Sequence, residues 1–307
     1  MLYGLIDISS DQIRLDVYEY NHQNATLLFT KEEIFLISSY QKKDCLNDTG
    51  IHRLCTLLNM FQSVLSNLSI TNYSVFSSTS MHQLKNIEKI LFSVKTATGI
   101  CIDILSLEVK ATLCFYGAAH QLLHDEGLFL DLDENSCELI HFKNRYIYQH
   151  FAIPIGSLSM FSRYVMKILP KETEQRSIRK RVLQEIDTVI PSDFPRTIPV
   201  MICTGKSMEL IVKMLRYFQM IKEEEFCFST SLLRELYAKY KHDPKDLCHT
   251  ILLTCPQRLH TFLPGLFILS EISSYFSCIQ IQTINSSVRD GYLSDTILGE
   301  GRYHKKI

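Results

Sequence analysis

Residues 129–139 read Phe129-Leu-Asp-Leu-Asp-Glu-Asn-Ser-Cys-Glu-Leu139: an apolar strand that ends on an acid, a short polar turn, and a second strand. The start of the chain repeats the pattern as Leu5-Ile-Asp-Ile-Ser-Ser-Asp-Gln-Ile-Arg-Leu15. Asp7 falls where Asp131 falls, and Arg14 falls where Glu138 falls. Two strand-acid-turn-strand units in one chain predict a duplicated α/β domain.

A turn of this kind commonly serves phosphate. When it is rich in Gly and Ser, successive backbone N–H groups point into one concavity and hold phosphate oxygens, while the preceding Asp binds a metal or a water. The second turn here reads Asp133-Glu134-Asn135, so two carboxylates stand where a phosphate site wants bare backbone. That contradiction is the main functional clue in the sequence.

Outward from the two turns, alternating apolar residues predict strands at 2–8, 13–19 and 26–35, and again at 128–132, 137–142 and 146–153. In the first half, helical spacing follows over 51–68, with Asp48 or Thr49 as its cap, and over 84–97, which Gly99 terminates. Strands at 73–77 and 100–105 and a helix at 108–123 close this half. In the second half, helices are predicted at 158–169, 171–189, after Gly205-Lys-Ser207, and at 232–240, 266–276 and 288–298, with strands at 200–203 and 279–283. Meanders followed by alternating helices and strands give mixed α/β sheets with a ligand cleft between the halves. The expected domains are 1–124 and 125–307, with the last helix, about 287–300, packing back on the first. The basic cluster Arg176, Arg179, Lys180 and Arg181 reads as a solvated helix face.

The 307 residues suffice for two domains, and 46% hydrophobic with 21% charged residues is the composition of a globular protein. A formal net charge of −1 supplies no global attraction to nucleic acid or to an anionic membrane, so neither is an expected partner. An acid interrupts the N-terminal apolar run almost at once, so export is not expected, and no apolar run is long enough to span a bilayer. Ten cysteines without a C-x-x-C pair point to a reducing, cytoplasmic setting. Cys248, His249, Cys255 and His260 have spacings that fit no zinc ribbon or finger.

These residues together resemble the exopolyphosphatase and guanosine pentaphosphatase (Ppx/GppA) family, in its short two-domain form. Asp7-Ile-Ser-Ser-Asp-Gln-Ile-Arg-Leu15 resembles the family's D-I-G-S-N-S-x-R-L, and Leu130 to Glu138 stand where its D-I-G-G-G-S-T-E stands. Phe76-Ser-Ser-Thr-Ser-Met-His-Gln-Leu-Lys-Asn86 resembles F-A-T-A-S-L-R-N-x-x-N, with His82 at the arginine position. Pro154-Ile-Gly-Ser-Leu158 follows the second turn as in the family. Arg258, Leu263-Pro-Gly-Leu266 and Ser287-Val-Arg-Asp-Gly-Tyr-Leu293 match its terminal R-x-x-x-x-x-P-G and G-x-R-E-G-x-L segments.

The resemblance implies an actin-like ATPase (ribonuclease H-like) fold and phosphoanhydride chemistry. It places Lys110 at the second Glu of S-G-x-E-E-A, the residue taken to activate the attacking water; a lysine protonated at neutral pH cannot accept that proton. It assigns phosphate contacts to Ser9, Ser10, Arg14, Asn135, Ser136 and Gly205, and Mg²⁺ contacts to Asp7, Asp131 and Glu138. Capping of the turns by their own acids is the alternative for Asp7 and Asp131, and Asp131, Asp133 and Glu134 make either a hard-cation site or a solvated acidic turn. Arg258, Pro264, Gly265, Arg289 and Gly291 read as packing and hinge residues away from the cleft.

Three functions are expected in this order. The first is a degenerate homologue, not an enzyme, that binds polyphosphate, guanosine tetra- or pentaphosphate, or a protein partner such as a second copy or an active paralogue. The second is an active Mg²⁺-dependent exopolyphosphatase or pppGpp phosphohydrolase in which Glu108 replaces Lys110 as base through a shift of about 6 to 7 Å along an extended backbone. The third, a sugar or acetate kinase, lacks the glycine-rich nucleotide loops.

Overall fold

A computed structural model describes residues 1–21, 25–77, 81 and 84–296. His82, most of the motif around it, and the end of the last expected helix lie outside these. The chain divides into two compact units, Met1–Gly117 with the segment from Ser287, and Ala118–Ser286.

The first unit opens with the meander β1 (Leu2–Ile8), β2 (Gln12–Tyr20) and β3 (Ala25–Ile34). A one-turn helix α1 (Ile37–Tyr40) and a two-residue hairpin, β4 (Gln41–Lys42) with β5 (Cys45–Leu46), lead into α2 (Asp48–Asn67). The cap of α2 is Asn47, one residue earlier than expected, whose side chain accepts a hydrogen bond from Gly50 N at 2.8 Å. β6 (Tyr73–Ser77), α3 (Ile87–Thr98), β7 (Asp103–Ile104) and α4 (Leu107–Ala118) follow. Gly99 ends α3 in the left-handed conformation at φ 75°, as its position in the sequence suggested. The strand expected at 100–105 shrinks to two residues paired with Phe76 and Ser77.

The second unit repeats the opening as β8 (Glu126–Leu132), β9 (Cys137–Lys143) and β10 (Tyr146–Ile153). It continues through α5 (Ser157–Tyr164), α6 (Glu172–Val189), β11 (Val200–Thr204), α7 (Lys206–Tyr217), β12 (Cys227–Ser229) and α8 (Ser231–His242). Helices α9 (Pro244–Thr254) and α10 (Leu259–Tyr275) and strand β13 (Gln280–Thr283) complete it, and α11 (Val288–Thr296) returns to the first unit. Sequence reading passed over α9, although Asp243 caps it and Pro244 opens it, an Asx-Pro start that is a recognised signal. It also began α10 seven residues late. The helix runs through Pro264-Gly265, with its sides buried nearly all round. Arg179 of α6 is not merely solvated: it pairs with Glu271 and lies 4.3 Å from the centre of the Phe267 ring.

The duplication is visible in the registers. The first sheet has order β3-β2-β1-β6-β7 and the second β10-β9-β8-β11-β13-β12. In both, the first strand is antiparallel to the second and parallel to the fourth. Asp7 pairs across β1 and β2 with Arg14, and Asp131 pairs across β8 and β9 with Glu138. Because side chains alternate along a strand, Ile6, Ile8, Ile13 and Leu15 enter the first core, packed with Leu54, Leu58 and Phe61 of α2. Asp7, Arg14 and Asp16 take the opposite face. In the second unit, Leu130, Leu132, Cys137 and Leu139 enter the core, and Asp131 and Glu138 take the opposite face.

Candidate functional site

The first turn closes on itself. Ser9 Oγ lies 2.9 Å from both Asp11 Oδ1 and the Gln12 carbonyl, and Ser9 N donates to that same carbonyl at 2.9 Å. The Ser10 and Asp11 carbonyls accept from Ile37 N and Phe35 N. Neither turn holds a residue at positive φ, so the missing glycines leave no backbone strain.

Behind the first turn runs a chain of alternating charges. Asp7, buried at 7% exposure, accepts from Arg289 Nη1 at 3.0 Å through Oδ2. The Nε of Arg289 lies 3.4 Å from Asp16, which is 0% exposed. Asp16 in turn accepts from Arg14 Nε at 2.8 Å and from Thr30 Oγ1 at 2.7 Å, and Arg14 Nη1 reaches Glu32 at 2.9 Å. Burial pushes the Asp7 carboxyl above its usual range, and the charge and hydrogen bond of Arg289 oppose that rise. Asp7 Oδ1 is buried with no hydrogen-bond partner. The sequence reading set Arg289 aside as a packing residue, and the structure corrects this: it is the direct partner of the turn acid. Asp16 was missed, although a charged residue among the alternating apolar ones of β2 was a signal.

The second turn is held from two sides. Helix α5 points its first N–H groups at the turn, Ser157 N donating to Asp133 O at 3.2 Å and Leu158 N to Glu134 O at 2.8 Å. Gly156 permits this approach, since a Cβ there would lie 2.3 Å from Glu134 O. The Glu134 side chain pairs with Arg258 at 2.9 Å, so the acidic turn is not wholly solvated, and Arg258 also touches a turn rather than only packing. Nearby His260 is driven below its usual pKa by burial first and by Arg258 second. Gly205 lies beside Asp131: at φ 95° it caps α7, and a Cβ would sit 2.7 Å from Leu132 O and 3.1 Å from Asp131 Oδ1. Asn135 is exposed and Ser136 partly so.

Among the described residues no group of three or more His, Cys, Asp or Glu side chains is clustered as a metal site. Asp7 gives one oxygen to Arg289, and Glu138, 1% exposed, gives one to His150 Nε2 at 2.8 Å. Its other oxygen, Oε1, is buried without a hydrogen-bond partner. His150 had no counterpart in the sequence reading.

Lys110 is buried in the first turns of α4 at 5% exposure, while Glu108 is exposed. The backbone there is helical, not extended, so a two-residue step turns the side chain by about 200° about the helix axis. A small register slip does not bring Glu108 to the place of Lys110.

A model of the Ppx/GppA phosphatase family matches residues 17–300. The chain belongs to that family. The match begins past the first turn and past Arg14 and Asp16 of β2. The solved structure of the Aquifex aeolicus Ppx/GppA family member superposes with a TM-score of 0.83 at 15% identity, covering 98% of each chain. An exopolyphosphatase from Cytophaga hutchinsonii gives 0.75 at 14% identity, over 97% of this chain and 98% of that one. An exopolyphosphatase-like protein gives 0.75 at 16%, over 96% and 97%. At these identities the likeness is one of fold, the actin-like ATPase fold of the Ppx/GppA proteins. No helix among the described residues is long and apolar enough to cross a membrane.

Proposed function

We propose that this Ppx/GppA protein works by binding, with a phosphoanhydride such as polyphosphate or guanosine tetra- or pentaphosphate, or a protein partner, as its ligand, and that it does not release phosphate. The observation that carries the reading is Lys110. The position that the family resemblance gives to the water-activating carboxylate holds a buried lysine, and a protonated ammonium has no lone pair with which to take a proton from water. Glu108, the substitute carboxylate, faces solvent on the same helix. The turns support the reading too, since one acid at each, Asp7 and Glu134, is tied to an arginine. A cytoplasmic setting goes with it, all ten cysteines being free of disulfides.

Purified protein is expected to release no phosphate from polyphosphate or pppGpp above a mock preparation, with or without Mg²⁺. Thermal melting with each anion in turn is expected to raise the midpoint for the one that binds the native state. Robust Mg²⁺-dependent release would refute the reading, and abolition of that release by Glu108→Gln would establish the rearranged-enzyme alternative in its place.

A further inference from the structure

Arg14 is where the family resemblance implies an anion contact, yet every nitrogen of its guanidinium already meets a protein oxygen. Nε lies 2.8 and 2.9 Å from the two Asp16 oxygens, Nη1 lies 2.9 Å from Glu32 Oε1, and Nη2 lies 3.3 Å from Thr30 Oγ1. Of these partners Asp16 is the decisive one, because it is 0% exposed. A buried carboxylate needs a cation, so Arg14 cannot swing to a ligand without stranding Asp16 in a dry site. Arg289 gives no full relief. Its Nη1 is spent on Asp7, and its Nε stands 3.4 Å from Asp16.

The patch also has the wrong sign for phosphate. Asp7, Asp16 and Glu32 oppose only Arg14 and Arg289 in this network. Strand alternation puts Asp16 on the same sheet face as Asp7 and Arg14. An arriving phosphate therefore competes with two carboxylates for one guanidinium and is repelled by the formal excess of negative charge.

We propose that Asp16 is a specificity-determining residue: it occupies Arg14 as an internal stand-in for phosphate and so keeps the first turn from gripping terminal phosphate groups. The inference rests on the reading of the protein as a binder and sharpens it, since any phosphoanhydride it holds is held without Arg14.

Asp16→Asn is nearly isosteric, leaves Arg14 an acceptor and removes the charge. Linear tripolyphosphate is titrated calorimetrically at low salt into wild type, Asp16→Asn, and the double variant Asp16→Asn with Arg14→Gln. The single variant is expected to bind at least about tenfold more tightly than wild type, and the double variant to fall back to the wild-type level. Equal binding by wild type and a folded single variant, including none by either, overturns the proposal, as does a gain that survives the loss of Arg14. Should near-ultraviolet circular dichroism show Asp16→Asn unfolded, Glu32→Gln takes its place, because Glu32 is an exposed partner of the same guanidinium. A gain of about threefold is then expected, and its absence overturns the proposal. Phosphate release is followed in the same samples. Release by wild type refutes the binding-only function and leaves the affinity comparison to decide on Asp16.

Discussion

Gly291→Ala isolates the part that α11 plays in the first unit. Gly291 lies outside the left-handed region, so alanine costs nothing in backbone conformation there. The obstacle is space, because a Cβ would stand 1.9 Å from the Leu113 carbonyl oxygen and 2.4 Å from its carbon. Non-bonded heavy atoms rest at about 3.5 Å, so α11 must back away from α4 by about 1.5 Å. That displacement would stretch the 3.0 Å contact of Arg289 with Asp7 beyond hydrogen-bonding range and disturb the stacking of Tyr292 on Phe76, now at 4.7 Å between ring centres. Overpacking costs about 1–3 kcal/mol, and unpairing a buried carboxylate costs up to about 3–5 kcal/mol. The two effects overlap, because one movement causes both, and a loss of about 3–5 kcal/mol is the expected total. Urea titration followed by circular dichroism measures it, and Arg289→Gln provides the comparison for the ion pair alone. A Gly291→Ala variant within about 1 kcal/mol of wild type would refute the claim that the two backbones are in contact.

Other predictions address charge, caps and thiols. The folded pKa of Asp7 is raised by burial, so its favourable contribution is complete with the group protonated, below the unfolded value of about 3.9, and is lost as pH rises through the raised value. Asp7→Asn should therefore gain on wild type in urea stability between pH 4 and pH 7, and the opposite trend would contradict the burial. Asn47→Ala, which removes the cap bond to Gly50 N, should cost about 1 kcal/mol. Gly99→Ala meets no neighbour within 4 Å but holds φ at 75°, so a loss of about 1–2 kcal/mol by denaturant titration would come from conformation alone. Burial raises the Cys137 and Cys203 thiols far above the usual value and Cys278 to about 12. A thiol reagent at pH 8 should label exposed Cys101 first and reach those three only on unfolding.

The sequence exposed the architecture because period-two apolar patterns and acid-ended strands are local features. The twin turns aligned Asp7 with Asp131 and Arg14 with Glu138, and the structure places each aligned pair at the same point of its hairpin, Asp7 opposite Arg14 and Asp131 opposite Glu138. Helix ends were less legible. Asn47 rather than Asp48 caps α2, and α10 runs through Pro264 because its packing outweighs a local propensity. The site was legible in its residues but not in their partners. Arg289 reaches Asp7, Arg258 reaches Glu134 and His150 reaches Glu138, and no spacing rule connects positions joined only by the fold. The carboxylate that holds Arg14 is another such partner, whereas the helix carrying Glu108 and Lys110 was expected from the sequence, and the extended-backbone shift between the two does not fit it.

The return of α11 to the first unit bears on how the protein is made. Arg289 follows Asp7 by 282 positions, and the whole of the other unit, roughly 170 residues, is translated between the first unit's two parts. At about 5–20 residues per second, a nascent chain spends on the order of 10–30 s with its first sheet synthesised and its last helix still to come. Through that interval Asp7 and Asp16 wait without Arg289. The second unit, contiguous in the chain, is the one able to fold first on the ribosome, and the N-terminal half completes its charge network only when the C-terminal segment emerges.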